Sequence, residues 1–311
     1  MKILLIDIDS KIPNLALAKI KKYHQDRGDT VYQKEPGALW FANKIYVSCI
    51  FEQNKAKAEY YKSFGAEIGG SGYDIYKKLP SEIENIKPRI NLGFTTRGCI
   101  RKCEFCIVPK KEGLIHQVGD IYDIWDGKSK DIILLDNNIL AAPKHFKLIC
   151  SQLRKEKLRV DFNQGLDCRL LTQDVVNELK SISHIEYRFA FDHPSYFPVV
   201  KKAIDLLKKN RINRCNWYVL VGFNTTFKED LDRLIYLRSR KQNAYVQRYK
   251  TCYTEQKYIL LARWVNQHAI FYTHTWNEFL DKDRNYHTNS KKKGYNDYYY
   301  PLRRRGSLDR S

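Results

Sequence analysis

The sequence predicts an α/β protein in which a small doubly wound unit over 1–88 precedes a longer strand–helix series over 89–280. Three observations carry that prediction. Short apolar runs alternate with longer stretches of helical pattern, as a parallel sheet with covering helices requires. Glycine and proline punctuate the joints, as at Arg27-Gly28-Asp29 and Glu35-Pro36-Gly37. Apolar residues make up 43% of the 311-residue chain, enough to build a core. Beyond about 281 the composition changes to a basic, tyrosine-rich tail.

In the first unit, Ile3 to Ile8 is a buried strand, and Pro13 fits the first turn of a helix running to about Asp26. Gly28 stops that helix, because glycine tolerates a left-handed cap. Thr30 to Gln33 and Lys44 to Phe51 are strands, Asn54 caps a helix that ends at Gly65, and Ala66 to Ile68 is the next strand. Gly69-Gly70-Ser71-Gly72 follows, where the backbone can approach a ligand closely or simply make a tight connection. It is not G-x-G-x-x-G, so a dinucleotide fingerprint is missing. Lys77 to Lys87, with Pro80 and Pro88, has the character of a polar link. The second series predicts strands over 90–96, 131–136, 158–163, 185–191, 216–222 and 244–248, and helices over 143–156, 172–180, 195–209, 227–239 and 255–267. Thr226, with Glu229 three residues on, forms a capping box for the fourth of these helices.

No apolar run approaches the ~18 residues of a membrane span. Met1 to Asp9 is too short and too acidic for a signal peptide and is expected as a first strand. Eight cysteines without a secretory signal suggest a reducing cytoplasm. The net charge of +20 favours polyanionic partners such as RNA or DNA, although lysine spread along every helix also describes an ordinary solvated surface.

The rest of the chain is organised around Cys99-Ile-Arg-Lys-Cys103-Glu-Phe-Cys106. Three thiolates from one loop can hold three irons of a 4Fe–4S cluster and leave the fourth iron open to a small chelating molecule. Zinc is the alternative, but a structural zinc site takes four ligands and no second C-x2-C pair supplies the fourth. A disulfide with a spare thiol is the remaining option, in a secreted protein. The C-x3-C-x2-C spacing, with an aromatic before the last cysteine, resembles the signature of the radical S-adenosylmethionine (SAM) superfamily. The longer string Thr96-Arg97-Gly98-Cys99 through Cys106-Ile107-Val108-Pro109 is most similar to the loop of radical SAM methylthiotransferases.

That resemblance implies a partial (β/α)6 TIM-like barrel over 89–280, with Cys99, Cys103 and Cys106 on the cluster and SAM on the open iron. It implies reductive cleavage of SAM to a 5′-deoxyadenosyl radical, with an electron donor of the flavodoxin or ferredoxin type. Chemistry in such barrels sits at the C-terminal strand ends, so each end is a candidate. Backbone beside Phe105 would contact adenine. Asp136-Asn137-Asn138 departs from the family's usual Gly-Gly-Glu but matches an Asp-Asn type in relatives. Asp136 could accept from the SAM ammonium or cap the following helix. Arg169 could clamp a carboxylate or pair with Asp167. Asp192-His193 could reach ribose or substrate, with His193 alternatively a hydrogen-bonded loop residue. Gly222 would let backbone approach adenine. Cys252 could face the cavity, while Cys150, Cys168 and Cys215 suit packed thiols.

The first unit resembles the cobalamin-binding domains of one superfamily branch, with Gly69-Gly70 in the matching place. Their D-x-H-x-x-G motif is missing, and His24 does not replace it. Methylthiotransferases bring three more cysteines from this region, and here there is only Cys49. In the tail, Lys291-Lys292-Lys293, Tyr298-Tyr299-Tyr300 and Arg303-Arg304-Arg305 could bind phosphates and stack on bases, or form a solubilising end. The expected function is therefore a cytoplasmic radical SAM enzyme acting on a nucleic acid, with tRNA the leading candidate. The alternatives are a cobalamin-assisted methyltransferase on a small molecule or peptide, and a non-catalytic zinc-stabilised nucleic-acid-binding protein.

Overall fold

The computed structural model describes residues 1–33 and 35–282. The basic tail expected over 281–311 therefore lies almost wholly outside the described residues. The fold is mixed α/β with parallel sheets. Contacts divide the chain into two compact units, Met1–Leu166 with Asn177–Glu186, and Asp167–Val176 with the chain from Tyr187 on.

The first unit begins with a four-stranded parallel sheet of β1 (Lys2–Asp7), β2 (Thr30–Gln33), β3 (Lys44–Ser48) and β4 (Glu67–Gly69), in the order β2-β1-β3-β4. β1 is apolar on both faces because it is buried on both. Ile3 and Leu5 pack with Leu17, Ile20, Tyr46 and Ile83, whereas Leu4 joins Ala38, Ile45, Val47, Cys49, Ala58 and Ile68. Helix α1 (Leu15–Asp26) is capped by Asn14, whose side chain accepts from the Leu17 amide at 3.1 Å. Pro13 thus precedes the cap instead of opening the first turn as expected. Asn54 does not cap with its side chain either. Its amide donates to Asp9 at 3.1 Å, and α2 (Lys55–Glu59) is a short helix flanked by 3-10 turns that end at the left-handed Gly65. The segment expected as a polar link carries α3 (Ser81–Glu84), which buries Ile83, and Lys19 reaches Glu84 with its Nζ 3.0 Å from the carboxylate.

A second parallel sheet in this unit has the order β10-β9-β8-β5, formed by β5 (Leu92–Gly93), β8 (Asp131–Leu134), β9 (Arg159–Phe162) and β10 (Ser183–Glu186). Between β5 and β8, the short strands β6 (Thr96–Arg97) and β7 (His116–Gln117) pair antiparallel and bracket α4 (Val108–Lys111). Helices α5 (Pro143–Lys155) and α6 (Gln173–Lys180) follow β8 and β9. The predicted strand 185–191 is two strands, because β10 pairs with β9 whereas β11 (Arg188–Ala190) pairs with β12 (Asn216–Val221).

In the second unit β11, β12 and β13 (Asn243–Arg248) form a three-stranded parallel sheet. Its helices are α7 (Phe197–Lys209), α8 (Phe227–Ser239), α9 (Gln256–Asn266) and α10 (His268–Thr273). The Thr226–Glu229 capping box starts α8 as expected. The same helix carries a fully buried pair, Asp230 and Arg233. Arg233 donates to Asp230, to the Phe191 carbonyl at 2.5 Å and to the Leu220 carbonyl at 2.8 Å, while Asp230 accepts from the Gly222 amide at 2.9 Å. Two charges inside α8 thereby fix the carboxyl ends of the β11 and β12 segments. Among the described residues no helix is long and apolar enough to cross a membrane.

Removing one partner of such a pair strands the other charge in the core, at a cost of about 3–5 kcal/mol. Arg233→Ala is expected to lower the unfolding free energy by that much in urea titration, and a loss under 1 kcal/mol would show that the pair does not hold these strand ends.

Candidate functional site

The extended run before the cysteine loop ends in Thr95 and Thr96, both fully buried. Each brings an amide and a hydroxyl that must find an acceptor away from water. The acceptor is Asp136, at the carboxyl end of β8. Its Oδ1 accepts from the Thr95 hydroxyl (2.7 Å), the Thr96 amide (2.5 Å) and the Thr96 hydroxyl (2.6 Å), and its Oδ2 accepts from the Thr95 amide (3.2 Å). Burial pushes the Asp136 pKa up, and the bonds from the two threonines oppose that shift.

The next two residues continue the same contact. Asn137 Oδ1 accepts from the Gly98 amide at 3.0 Å, and Asn138 Nδ2 points its donor at Cys99 Sγ, 3.4 Å away. Three consecutive side chains after β8 thus hold Thr95 and Thr96, then Gly98, then Cys99 of the segment entering the loop. Asp136, a candidate SAM contact, accepts from the amides and hydroxyls of Thr95 and Thr96, Asn137 accepts from the Gly98 amide, and Asn138 addresses a cysteine sulfur.

The far end of the loop closes on the near end. The Cys99 amide donates to the Gly113 carbonyl at 3.1 Å, just inside the β6–β7 pair. Gly98 sits at φ +81°, and a Cβ there would lie 2.3 Å from the Leu114 carbonyl oxygen, so only glycine fits. Arg97 stacks its guanidinium over Phe94 at 4.5 Å and bridges Glu112 and Glu84, each at 3.2 Å. Lys111, whose pKa burial lowers against the pull of Glu112, donates to Ser71 at 2.8 Å. Here the Gly-Gly-Ser-Gly turn meets the cysteine loop.

Cys99, Cys103 and Cys106 are half-buried and outside any disulfide. The Arg101 amide donates to Cys99 Sγ at 3.3 Å, so two donors address that sulfur. The other five cysteines are buried. Burial pushes Cys49 up to about 11 and both Cys150 and Cys168 up to about 12, which keeps them as neutral thiols. The donor set of the loop fits an iron–sulfur cluster: three accessible sulfurs on one loop, with N–H groups aimed at the first. Among the described residues no group of three or more His, Cys, Asp or Glu is placed to hold a metal ion. Phe105 is half-buried between the second and third of these cysteines.

The remaining candidates have protein partners. Arg169 pairs with Asp167 through Nε at 2.6 Å and lies 4.8 Å over the Tyr196 ring, all within the second unit. Gly222, at φ +75°, is approached by Cys252, whose Sγ would lie 2.6 Å from an added Cβ. Cys252, a buried thiol, packs on the side of Gly222 where a Cβ would stand and donates to the Tyr249 carbonyl at 3.2 Å. Gly70 and Gly72 likewise face the backbone of Cys49 and Phe51, at 2.3 and 2.4 Å from an added Cβ. The close approach expected there is made by the chain itself. His193 is the hydrogen-bonded loop residue, bonded through Nδ1 to the Ser195 hydroxyl at 2.8 Å. Its neighbour Asp192 is raised to about 6 by burial, against the Leu220 amide and the charges of Arg233 and Arg169. A carboxyl poised near neutrality at a strand end is a candidate proton carrier.

Thr95 and Thr96 were not identified from sequence as site residues. Their signal was there: two hydroxyl residues closing a strand one step before a cysteine loop. His145 was also missed. It is buried on α5, and burial lowers its pKa against the charges of Asp136 and Asp120.

Asp136→Ala leaves four donors without their acceptor, at a penalty on the order of 1–3 kcal/mol for each buried group left unpaired. We expect lower thermal stability, faster proteolysis within 98–115 and impaired iron loading together. Intact stability and iron loading with only weaker SAM binding would return Asp136 to a ligand role. For Asp192 the raised pKa means that folding favours its protonated form. Its destabilising contribution is absent below about pH 4 and complete above about pH 6. Asp192→Asn should therefore raise the melting temperature at pH 7.5 and leave it unchanged at pH 4, and an equal effect at both pH values would refute the shift.

No protein-family model matches the chain, and no curated protein matches it.

Proposed function

We propose that the chain is a radical SAM enzyme in which Cys99, Cys103 and Cys106 hold a 4Fe–4S cluster. The observation that carries this is the pinned loop. Three half-buried thiols at x3 and x2 spacing sit on a segment whose entry is hydrogen-bonded at Thr95, Thr96, Gly98 and Cys99 to the end of the adjacent strand. When bound, a cluster with SAM on its open iron supplies one electron for breaking a carbon–sulfur bond, releasing a 5′-deoxyadenosyl radical. The chain's own residues do the positioning. Asp136 orients Thr95 and Thr96, Asn137 fixes Gly98, and Asn138 with the Arg101 amide stabilises charge on Cys99 Sγ. The proposal includes the partial (β/α)6 barrel. β5, β8, β9, the divided strand β10–β11, β12 and β13 follow one another in chain order, with helices between them.

The substrate we propose is a nucleic acid, with tRNA the leading candidate, and the electron donor is of the flavodoxin or ferredoxin type. The net charge of +20 supports the former. The test is anaerobic reconstitution with iron and sulfide. We expect a brown protein that releases 5′-deoxyadenosine from SAM on reduction, and loss of both properties in Cys99→Ala, Cys103→Ala and Cys106→Ala. A colourless protein, or cleavage that survives those replacements, would overturn the assignment. Incubation with bulk tRNA followed by mass analysis of the nucleosides tests the substrate class separately.

A further inference from the structure

We propose that the β2-β1-β3-β4 sheet carries a docking surface for single-stranded nucleic acid, a row of aromatic rings in which exposed Trp40 and Tyr60 are backed by half-buried Phe64 and Tyr61, ending in a cleft beside the carboxyl end of β1. The inference deepens the function proposed above by placing the substrate, and it makes no use of the cysteine loop.

The row is Trp40, Phe64, Tyr60 and Tyr61. Ring centroids are 5.7 Å apart from Trp40 to Phe64, 5.4 Å from Phe64 to Tyr60 and 5.2 Å from Tyr60 to Tyr61. Trp40 is 80% exposed and Tyr60 is 61% exposed, so these rings leave large apolar faces to water. Contiguous exposed apolar surface of this kind marks an interaction site. Tyr60 and Tyr61 also line a cleft of about 500 Å³ with Ile6, Asp7, Ile8 and Lys57. That volume falls within the range of roughly 300–1,000 Å³ typical of small-molecule pockets.

The position is a second, independent pointer. In the order β2-β1-β3-β4 the chain steps from one side of β1 to the other. Doubly wound sheets bind ligands outside the strand ends at such a reversal. Ile6, Asp7 and Ile8 are the end of β1 and its exit.

The chemistry selects the occupant. Tyrosine and tryptophan faces stack on unpaired bases whatever their identity. Lys57 in the cleft and exposed Lys55 and Lys62 on the same segment supply charge for phosphates, although Lys62 is also 3.4 Å from Glu59. Asp7 offers a carboxylate to an exocyclic base amine, and its Oδ1 also accepts from the Ser10 amide at 3.0 Å. A duplex hides its base faces, so the surface fits a single strand, as in an RNA loop.

The test is fluorescence anisotropy of the full chain with a labelled mixed-sequence single-stranded RNA, repeated across salt concentrations. Trp40→Ala and Tyr60→Ala should each weaken binding about tenfold, and Lys57→Glu should weaken it and flatten its salt dependence. Tyr76→Ala, another exposed aromatic, should bind as the parent does. Trp40 and Tyr60 are largely outside the core, so unchanged circular dichroism is expected for both variants. Equal binding by the parent and the ring variants would overturn the proposal, as would preference for duplex. So would a dimer broken by Trp40→Ala in a chain that binds no RNA. Release of 5′-deoxyadenosine by the same variants separates the two claims. Lost RNA binding with retained release supports the docking surface, and ring-dependent RNA binding without release leaves it standing while the enzyme assignment falls.

Discussion

The buried carboxylate of Asp136 is the constraint on which the candidate site depends. It sits where a strand has just ended, and it accepts every polar hydrogen that Thr95 and Thr96 bring into the interior. Burial alone would disfavour the ionised group. The threonines offset that cost, and in return the segment leading to Cys99 has a defined path. Asn137 and Asn138 extend the arrangement one residue at a time, from backbone amide to sulfur. A loop of three thiols would otherwise be a mobile, readily oxidised segment. Held this way, it presents its sulfurs from a fixed base.

The second unit uses the same device with opposite polarity. Arg233 collects carbonyls from the carboxyl ends of two strands, and Asp230 collects an amide. In both units a charged side chain without access to water organises the ends of parallel strands. Carboxyl ends of strands are where α/β proteins place their chemistry. Hydrogen bonding there must be completed locally, because the ladder has run out of partners.

Much of the fold was legible in the sequence. The strands β1, β2, β8, β9, β12 and β13 and the helices α5 to α9 fall within a few residues of their expected spans, because apolar periodicity reports burial directly. The capping box at Thr226 was legible for the same local reason. What the sequence did not show were partners chosen by tertiary structure. Asp136 looked like a residue awaiting a ligand, since nothing local says that Thr95 lies within reach across a parallel pair. Gly222 is required where Cys252, thirty positions along, packs against it, a contact that no local pattern announces. Ile83 was hidden in a polar stretch with few apolar residues, and it docks with Leu79 against the same core. The spacing of Cys99, Cys103 and Cys106 needed no tertiary information, and it remains the strongest chemical statement the chain makes.

Gly98 has a consequence for how this region can change over evolution. Its lack of a side chain lets the two sides of the loop touch at the neck, where the Leu114 carbonyl passes too close for any other residue. With the neck sealed there, the stretch between Cys99 and Gly113 is anchored at both ends independently of most of its interior side chains. Side chains other than Cys103, Cys106, Lys111 and Glu112 can drift without opening that neck. Diversification of the cargo is thereby uncoupled from the integrity of the frame.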